Sequence, residues 1–213
     1  NLDFDKARVL LVNKDDARET TFMIGGKGID YNSADYVPVT VVNTILGGRF
    51  TSWLNDALRV NSGLTYGAVS SFSRYKYVGT FGIYTFIKSS TAIPAIDMAL
   101  NLLDSLHKNG INEEILASAK AYVKGEFPPD YESAGALARL LTDMFVYNFD
   151  ENFINTFQSK VDGLTVAQAK NIIATYFPKD KLQFVLVGKA SDIKDQVKKY
   201  GEISEKQIKA DGF

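Results

Sequence analysis

The stretch Leu46-Gly47-Gly48-Arg49-Phe50-Thr51-Ser52-Trp53-Leu54-Asn55-Asp56-Ala57-Leu58-Arg59-Val60-Asn61-Ser62-Gly63-Leu64-Thr65-Tyr66-Gly67 changes its periodicity once, between two breaks. The glycine pair ends whatever precedes it. From Arg49 to Val60 the apolar residues Phe50, Trp53, Leu54, Ala57 and Leu58 recur at helical spacing, so a helix is expected with that stripe inward. Asn61-Ser62-Gly63 stops it, and Gly63 suits a left-handed cap. Tyr66 then opens a segment to Arg74 in which Tyr66, Ala68, Ser70 and Phe72 share one face of a strand. A helix ending in Arg59 thus turns tightly into a strand that begins at Tyr66.

Working outward, residues 7–13 and Glu19 to Ile24 read as strands, the second ended by Gly25-Gly26-Lys27-Gly28. Asp35 to Leu46 is helical, with Pro38 in its first turn, where a missing amide proton is harmless. Val78 to Lys88 is close enough behind the strand ending at Arg74 to form a hairpin with it. Helices follow over Ala92 to Lys108, Glu113 to Glu126 with Asn112 as cap and Pro128-Pro129 as stop, and Ser133 to Tyr147. In the last of these Leu137, Leu140, Leu141 and Met144 are expected inward. Glu151 to Lys160 is a shorter helix, and Thr165 caps one through Tyr176. Lys181 to Gly188 is a buried strand that returns to the sheet, and Ser191 caps a last helix to about Tyr200. Strands at the front and end with helices between them argue α+β: one domain over residues 1–213, a mostly antiparallel sheet and helices on one face. Residues 1–200 make the core, and the polar stretch 201–213 is expected to be loosely held.

Apolar residues are 46% of the 213 and charged residues 23%, with a net charge of −1. A chain of this size buries roughly 70% of its unfolded surface and needs no staple. No basic stripe points to nucleic acid. No apolar run is long enough to span a membrane as a helix. The opening Asn1-Leu2-Asp3-Phe4 has neither Met nor signal-peptide pattern and reads as a cut. The absence of cysteine rules out disulfides and thiolate metal sites. It leaves the compartment open, with a lean to a bacterial periplasmic or secreted peptidase.

Chemistry of the usual kinds has few footholds. His107 is the one histidine, near a helix end, and reads as a solvated or capping residue. One His without Cys cannot build an ordinary catalytic zinc site, and no G-x-S-x-G elbow is present. Gly25-Gly26-Lys27-Gly28 lacks the phosphate-loop spacing. Glu113-Glu114 and Asp15-Asp16 sit where helix dipoles and turns favour acids.

What remains is the glycine pair, the Phe/Ser-containing helix, Arg59, and Gly63-Leu64-Thr65-Tyr66 with Tyr66 seven residues after Arg59. This resembles the C-terminal domain of the pitrilysin/insulinase family, the inverted-zincin metallopeptidases of bacterial processing-peptidase type. Lys124-Gly125, Tyr131-Glu132-Ser133 and the strand ending Val187-Gly188 extend the likeness over nearly the whole chain. The resemblance implies two similar halves that close over a peptide. The N-terminal half carries H-x-x-E-H and the zinc, and this half supplies Arg59 and Tyr66 as contacts to the peptide carbonyls and the oxyanion. This chain has no H-x-x-E-H, so no metal and no cofactor is expected on it, and it is expected to be inactive alone. The implied partners are a half or separate subunit with H-x-x-E-H, and a peptide substrate. A non-catalytic scaffold or peptide-binding subunit of the same family is the alternative. An unrelated α+β domain with a chance Arg-x6-Tyr is a weaker third reading.

Overall fold

The computed structural model describes residues 3–127 and 132–209. Strands β1 (Arg8–Asn13) and β2 (Glu19–Lys27) come first. Helix α1 (Tyr36–Asn43) ends in a π-helical turn, Thr44–Gly48. Helix α2 (Trp53–Asn55) runs straight on as π-helical turns over Asp56–Asn61. β3 (Ala68–Arg74) and β4 (Gly79–Lys88) form the expected antiparallel hairpin. Then come α3 (Ala92–Asn109), α4 (Glu113–Glu126) and α5 (Ala134–Tyr147). The short α6 (Asn152–Asn155) and α7 (Phe157–Gly163) lead to α8 (Val166–Tyr176). β5 (Gln183–Gly188), α9 (Ala190–Val197) and β6 (Glu202–Gln207) close the chain.

The strands make one six-stranded sheet in the order β3-β4-β2-β5-β1-β6. β3/β4, β4/β2 and β2/β5 are antiparallel, while β5/β1 and β1/β6 are parallel, so the fold is α+β with antiparallel pairs in the majority. β5 returns from the far end of the sequence and slots between the first two strands. Its Leu186 lies opposite Leu11 on one side and Phe22 on the other. All three are fully buried, together with Ile83, Leu46, Leu54, Ile96 and Ala99 from the hairpin and the helices. Burying each large side chain of this kind contributes about 1.5–3 kcal/mol. Phe72, Phe81 and Phe177 pack as a trio with ring centroids 5.0–5.5 Å apart, joining the hairpin to the end of α8.

The helix caps expected at Asn112 and Thr165 form. Asn112 Oδ1 accepts from the Ile115 amide at 2.8 Å, and Ser133 Oγ from the Ala136 amide at 3.1 Å. Thr165 and Gln168 form a reciprocal capping box. Such caps are worth about 1 kcal/mol each. Ser191 does not cap: α9 already begins at Ala190, whose amide donates to Asn13 Oδ1 at 2.8 Å, so the end of β1 does that work. The helix expected over 151–160 breaks between α6 and α7 at Thr156. The stop at Pro128-Pro129 and the residue Tyr131 lie outside the described residues.

Three other expectations are corrected. β2 does not end at Ile24; Gly25, Gly26 and Lys27 stay in the ladder opposite Gly82, Phe81 and Thr80. The stretch after Gly201 is not a loose tail. Glu202–Gln207 pairs along the whole of β1 as a parallel edge strand, and residues 210–213 lie outside the described part. In α5 the residues expected inward are split: Leu137 and Leu141 are 46% and 65% exposed, and no residue of that helix is fully buried.

Candidate functional site

Gly47 decides how the helix-turn-strand unit meets the sheet. A Cβ there would lie 2.2 Å from the Ser70 amide nitrogen and 2.8 Å from Leu54 Cδ1. Only a residue without a side chain lets the end of α1 touch both β3 and α2. Asn43 fastens the same junction, donating from Nδ2 to the Ser70 carbonyl at 2.9 Å and accepting from Ser70 Oγ at 2.7 Å.

Arg49 to Thr51 then turn outward, and the next helix starts later than its apolar spacing suggests. Ser52, buried, accepts from the Asn55 amide and caps α2. Phe50 therefore belongs to the turn and not to the inward stripe; it is 64% exposed. Its ring carries the Arg59 guanidinium, whose carbon stands 4.5 Å from the ring centroid. Arg59 makes no ion pair among the described residues, so this cation–π contact is what positions its fork of donors.

The turn after Arg59 folds back on the helix it leaves. Gly63 takes the left-handed conformation (φ 64°), as its place after the helix demands. Its amide donates to the Arg59 carbonyl, and the Leu64 and Thr65 amides donate to the Leu58 carbonyl at 2.9 and 3.2 Å. Thr65 is buried, and its hydroxyl donates to the Phe86 carbonyl at 2.8 Å. Thr85 Oγ1 reaches Thr65 Oγ1 at 2.9 Å and the Gly67 carbonyl at 2.7 Å. Tyr66 lies between these fastened neighbours but is not itself in the strand, which begins at Ala68. It is 82% exposed, and its phenol has no hydrogen-bond partner among the described residues.

Asn55 escaped the sequence reading. Nearly fully buried, it donates from Nδ2 to the Phe50 carbonyl at 2.6 Å and accepts from the Ala68 amide at 3.3 Å. It joins the turn that carries Phe50 to the strand that follows Tyr66. The available signal was a polar residue inside an apolar helical stripe, three residues after Ser52.

The remaining candidates are structural. His107 is half-buried, and its Nε2 bonds the Phe177 carbonyl at 3.0 Å, tying α3 to the end of α8. Gly25-Gly26-Lys27-Gly28 is strand and strand end, with Lys27 paired to Asp3 at 2.9 Å. No group of three or more His, Cys, Asp or Glu residues that could hold a metal occurs among the described residues. The donors among the described residues therefore do not fit a zinc ion. No helix among the described residues is long and apolar enough to cross a membrane.

Residues 1–123 match the family described as the peptidase M16 inactive domain. A Bacillus subtilis protein named uncharacterized zinc protease YmxG is 25% identical over 126 residues, which is 59% of this chain and 31% of that protein. A Helicobacter pylori protein named non-peptidase homolog YmxG is 23% identical over 155 residues, 72% of this chain and 35% of the other. The chain spans about a third of the length of these curated relatives. Among solved structures, a peptidase M16 inactive domain from Pseudomonas fluorescens superposes with a TM-score of 0.81 at 26% identity, over 88% of this chain and 44% of that one. A Helicobacter pylori protease has the same fold, with a TM-score of 0.76 over 87% of this chain and 45% of the other. The helix-turn-strand unit with Arg59 and Tyr66 lies inside the matched segment, and the fold agrees over most of the chain: this chain belongs to the peptidase M16 inactive-domain family, a family of zinc-protease-like proteins.

Proposed function

We propose that this chain is the substrate-contacting half of a zinc metalloendopeptidase, which cleaves peptides only together with a half that bears H-x-x-E-H. The observation that carries the reading is Tyr66: a phenol 82% exposed and without a partner among the described residues, on a loop whose flanking residues Thr65 and Gly67 are hydrogen-bonded, Thr65 being buried. An exposed tyrosine held rigidly is a donor waiting for an acceptor. Its O–H is directed at a peptide carbonyl oxygen and strengthens its bond as that oxygen gains charge, so it favours the transition state over the ground state. Arg59, steadied on Phe50, offers parallel donors to neighbouring peptide carbonyls. On this reading the metal belongs to the H-x-x-E-H half.

Arg59 binds substrate in both ground and transition states, so its loss weakens binding more than it slows chemistry. Arg59→Ala in the assembled protein is expected to raise KM for an internally quenched peptide by roughly 10–100-fold, the worth of a charge-assisted hydrogen bond. Unchanged KM and kcat would remove Arg59 from the site. The second reading, a scaffold or peptide-binding subunit, is favoured by the non-peptidase name of the Helicobacter relative. It predicts that the assembled protein binds the peptide and leaves it uncut.

A further inference from the structure

A guanidinium taken partly out of water needs acceptors or an acid for its five donors. Three arginines are half-buried among the described residues: Arg49, Arg59 and Arg74. Arg59 lies on Phe50. Arg74 donates to the Tyr31 carbonyl at 3.0 Å and stacks on Tyr31 and Tyr36, its guanidinium carbon 4.3 and 3.5 Å from the ring centroids. Arg49 is less well served. Its one hydrogen bond among the described residues runs from Nη1 to Ser118 Oγ at 3.0 Å, and it makes no ion pair there. Its Nε is enclosed without an acceptor, the one such side-chain atom among the described residues. Enclosing a donor of a charged group unpaired is more unfavourable than enclosing a neutral one, so the resting fold gains little from this side chain.

Arg49 stands in the turn that presents the site. Gly48 before it is exposed, and Phe50 after it is the ring that carries Arg59. Its side chain runs to α4, where Ser118 holds Nη1 and the Tyr122 ring centroid lies 6.0 Å from the guanidinium carbon. Nε and Nη2 share one edge of the planar group, the edge that grips a carboxylate with two parallel hydrogen bonds. Ser118 occupies the other side, so the Nε/Nη2 edge is the open one. Nη2, unlike Nε, is not enclosed. Glu114 and Glu126 continue the Ser118–Tyr122 row of α4 by one turn at either end, and neither pairs with Arg49. The fold thus sets a cation beside the Arg59–Tyr66 unit without giving it an anion.

We infer that Arg49 is a specificity-determining residue: its Nε/Nη2 edge takes the carboxylate of an aspartate or glutamate side chain in the bound peptide. The substrates are then peptides with an acidic residue on one side of the scissile bond. The inference rests on the proposed function for the place of the peptide and deepens it by naming the substrate class. A peptide held by Arg59 and Tyr66 passes the turn that carries Phe50, which brings a side chain close in sequence to the scissile bond up to Arg49. A carboxylate there bonds Nη2 directly, and it supplies Nε with the missing acceptor as the side chain tilts outward. An asparagine or glutamine in the same place offers one neutral oxygen, a weaker acceptor for a charged fork by roughly 10–100-fold.

The test is a set of internally quenched peptides that carry Asp or Glu, the matching amide, or Lys, one position at a time on either side of one cleavable bond. Each is given to the assembled protein, and kcat/KM and Kd are measured. At one position the acid is expected to exceed its amide by roughly 10–100-fold, and the preference shrinks as salt is added. Arg49→Met, which keeps the apolar stem, brings the acid-to-amide ratio near one. Its thermal melt does not fall, since the group removed is largely unsatisfied. Arg49→Glu moves the preference to the Lys peptide, which a structural role cannot do. Lys206→Met, an exposed cation lost from β6 at the far edge of the sheet from β3, leaves the ratio as it was. If the wild type cleaves neutral and acidic peptides equally at every position, the inference is overturned and the proposed function stands. If Arg49→Met slows both kinds alike, Arg49 is structural and the inference is overturned. A preference that vanishes when the peptide's C-terminus is amidated overturns the side-chain assignment in favour of the chain end. If peptides bind and stay uncut, the proposed function falls, and the acid-to-amide ratio of Kd still decides Arg49. If no peptide binds, both fall.

Discussion

Tyr66→Phe in the assembled protein is expected to slow peptide turnover by roughly 10²–10³, the usual cost of removing one donor aimed at a developing oxyanion. KM should barely move, because the phenol contributes most when charge builds on the carbonyl oxygen. The melting temperature should not move either, since Tyr66 is 82% exposed and its hydroxyl has no partner among the described residues. The loop keeps its shape through the Thr65, Thr85 and Leu58 contacts, none of which involves the tyrosine ring. Steady-state kinetics with an internally quenched peptide, beside a thermal melt, separates the two effects. An unchanged kcat would remove Tyr66 from the chemistry. A fall in kcat accompanied by a large fall in melting temperature would mean that the tyrosine is structural.

Gly47→Ala is expected to destabilise the chain by about 3 kcal/mol, the upper part of the range for forcing an atom into a packed interior. The new Cβ would meet the Ser70 backbone nitrogen at 2.2 Å, and backbone cannot rotate out of the way. For a domain of this size the melting temperature should drop by about 6–12 °C. Gly125→Ala is the control with the opposite sign. It lies in α4 with nothing within 4 Å of its added methyl, so it should stabilise by about 0.5–1 kcal/mol. Urea unfolding of the two variants measures both. A neutral Gly47→Ala would show that the contact between α1, α2 and β3 is looser than described and that the Arg59–Tyr66 loop is not rigidly seated.

The sequence disclosed what is local and hid what is not. The caps at Asn112 and Thr165 are side chains bonding backbone three residues on, so spacing alone reveals them. The β3–β4 hairpin and the left-handed Gly63 are equally local. β6 was missed because Glu202-Ile203-Ser204-Glu205-Lys206-Gln207 has the polar composition of an exposed edge, and its ladder partner β1 lies at the other end of the chain. In α5 the apolar periodicity was real, but periodicity does not say whether the apolar row faces the chain's own core or something else. Leu141 and Phe145 face outward because Tyr31 and Asn32 hold the other row.

At the site, the pair Arg59 and Tyr66 was legible only through its resemblance to a family pattern; spacing alone gives a helix-terminal charge and an aromatic. Two details of placement differ from the expectation. Tyr66 sits in the loop before the strand, more exposed than a strand residue would be, and Phe50 leaves the helical stripe to lie under Arg59. Asn55 stood out only as a polar residue in an apolar helix; its role is to satisfy the Phe50 carbonyl and the Ala68 amide, two groups that meet only in the folded turn.

The most direct test of the central claim is cleavage of an internally quenched peptide by the H-x-x-E-H half, with and without this chain. The account predicts no turnover by this chain alone, and turnover by the zinc half only when this chain is added. Full activity of the zinc half without it, or a mixture that associates and binds the peptide yet never cuts it, would contradict the account.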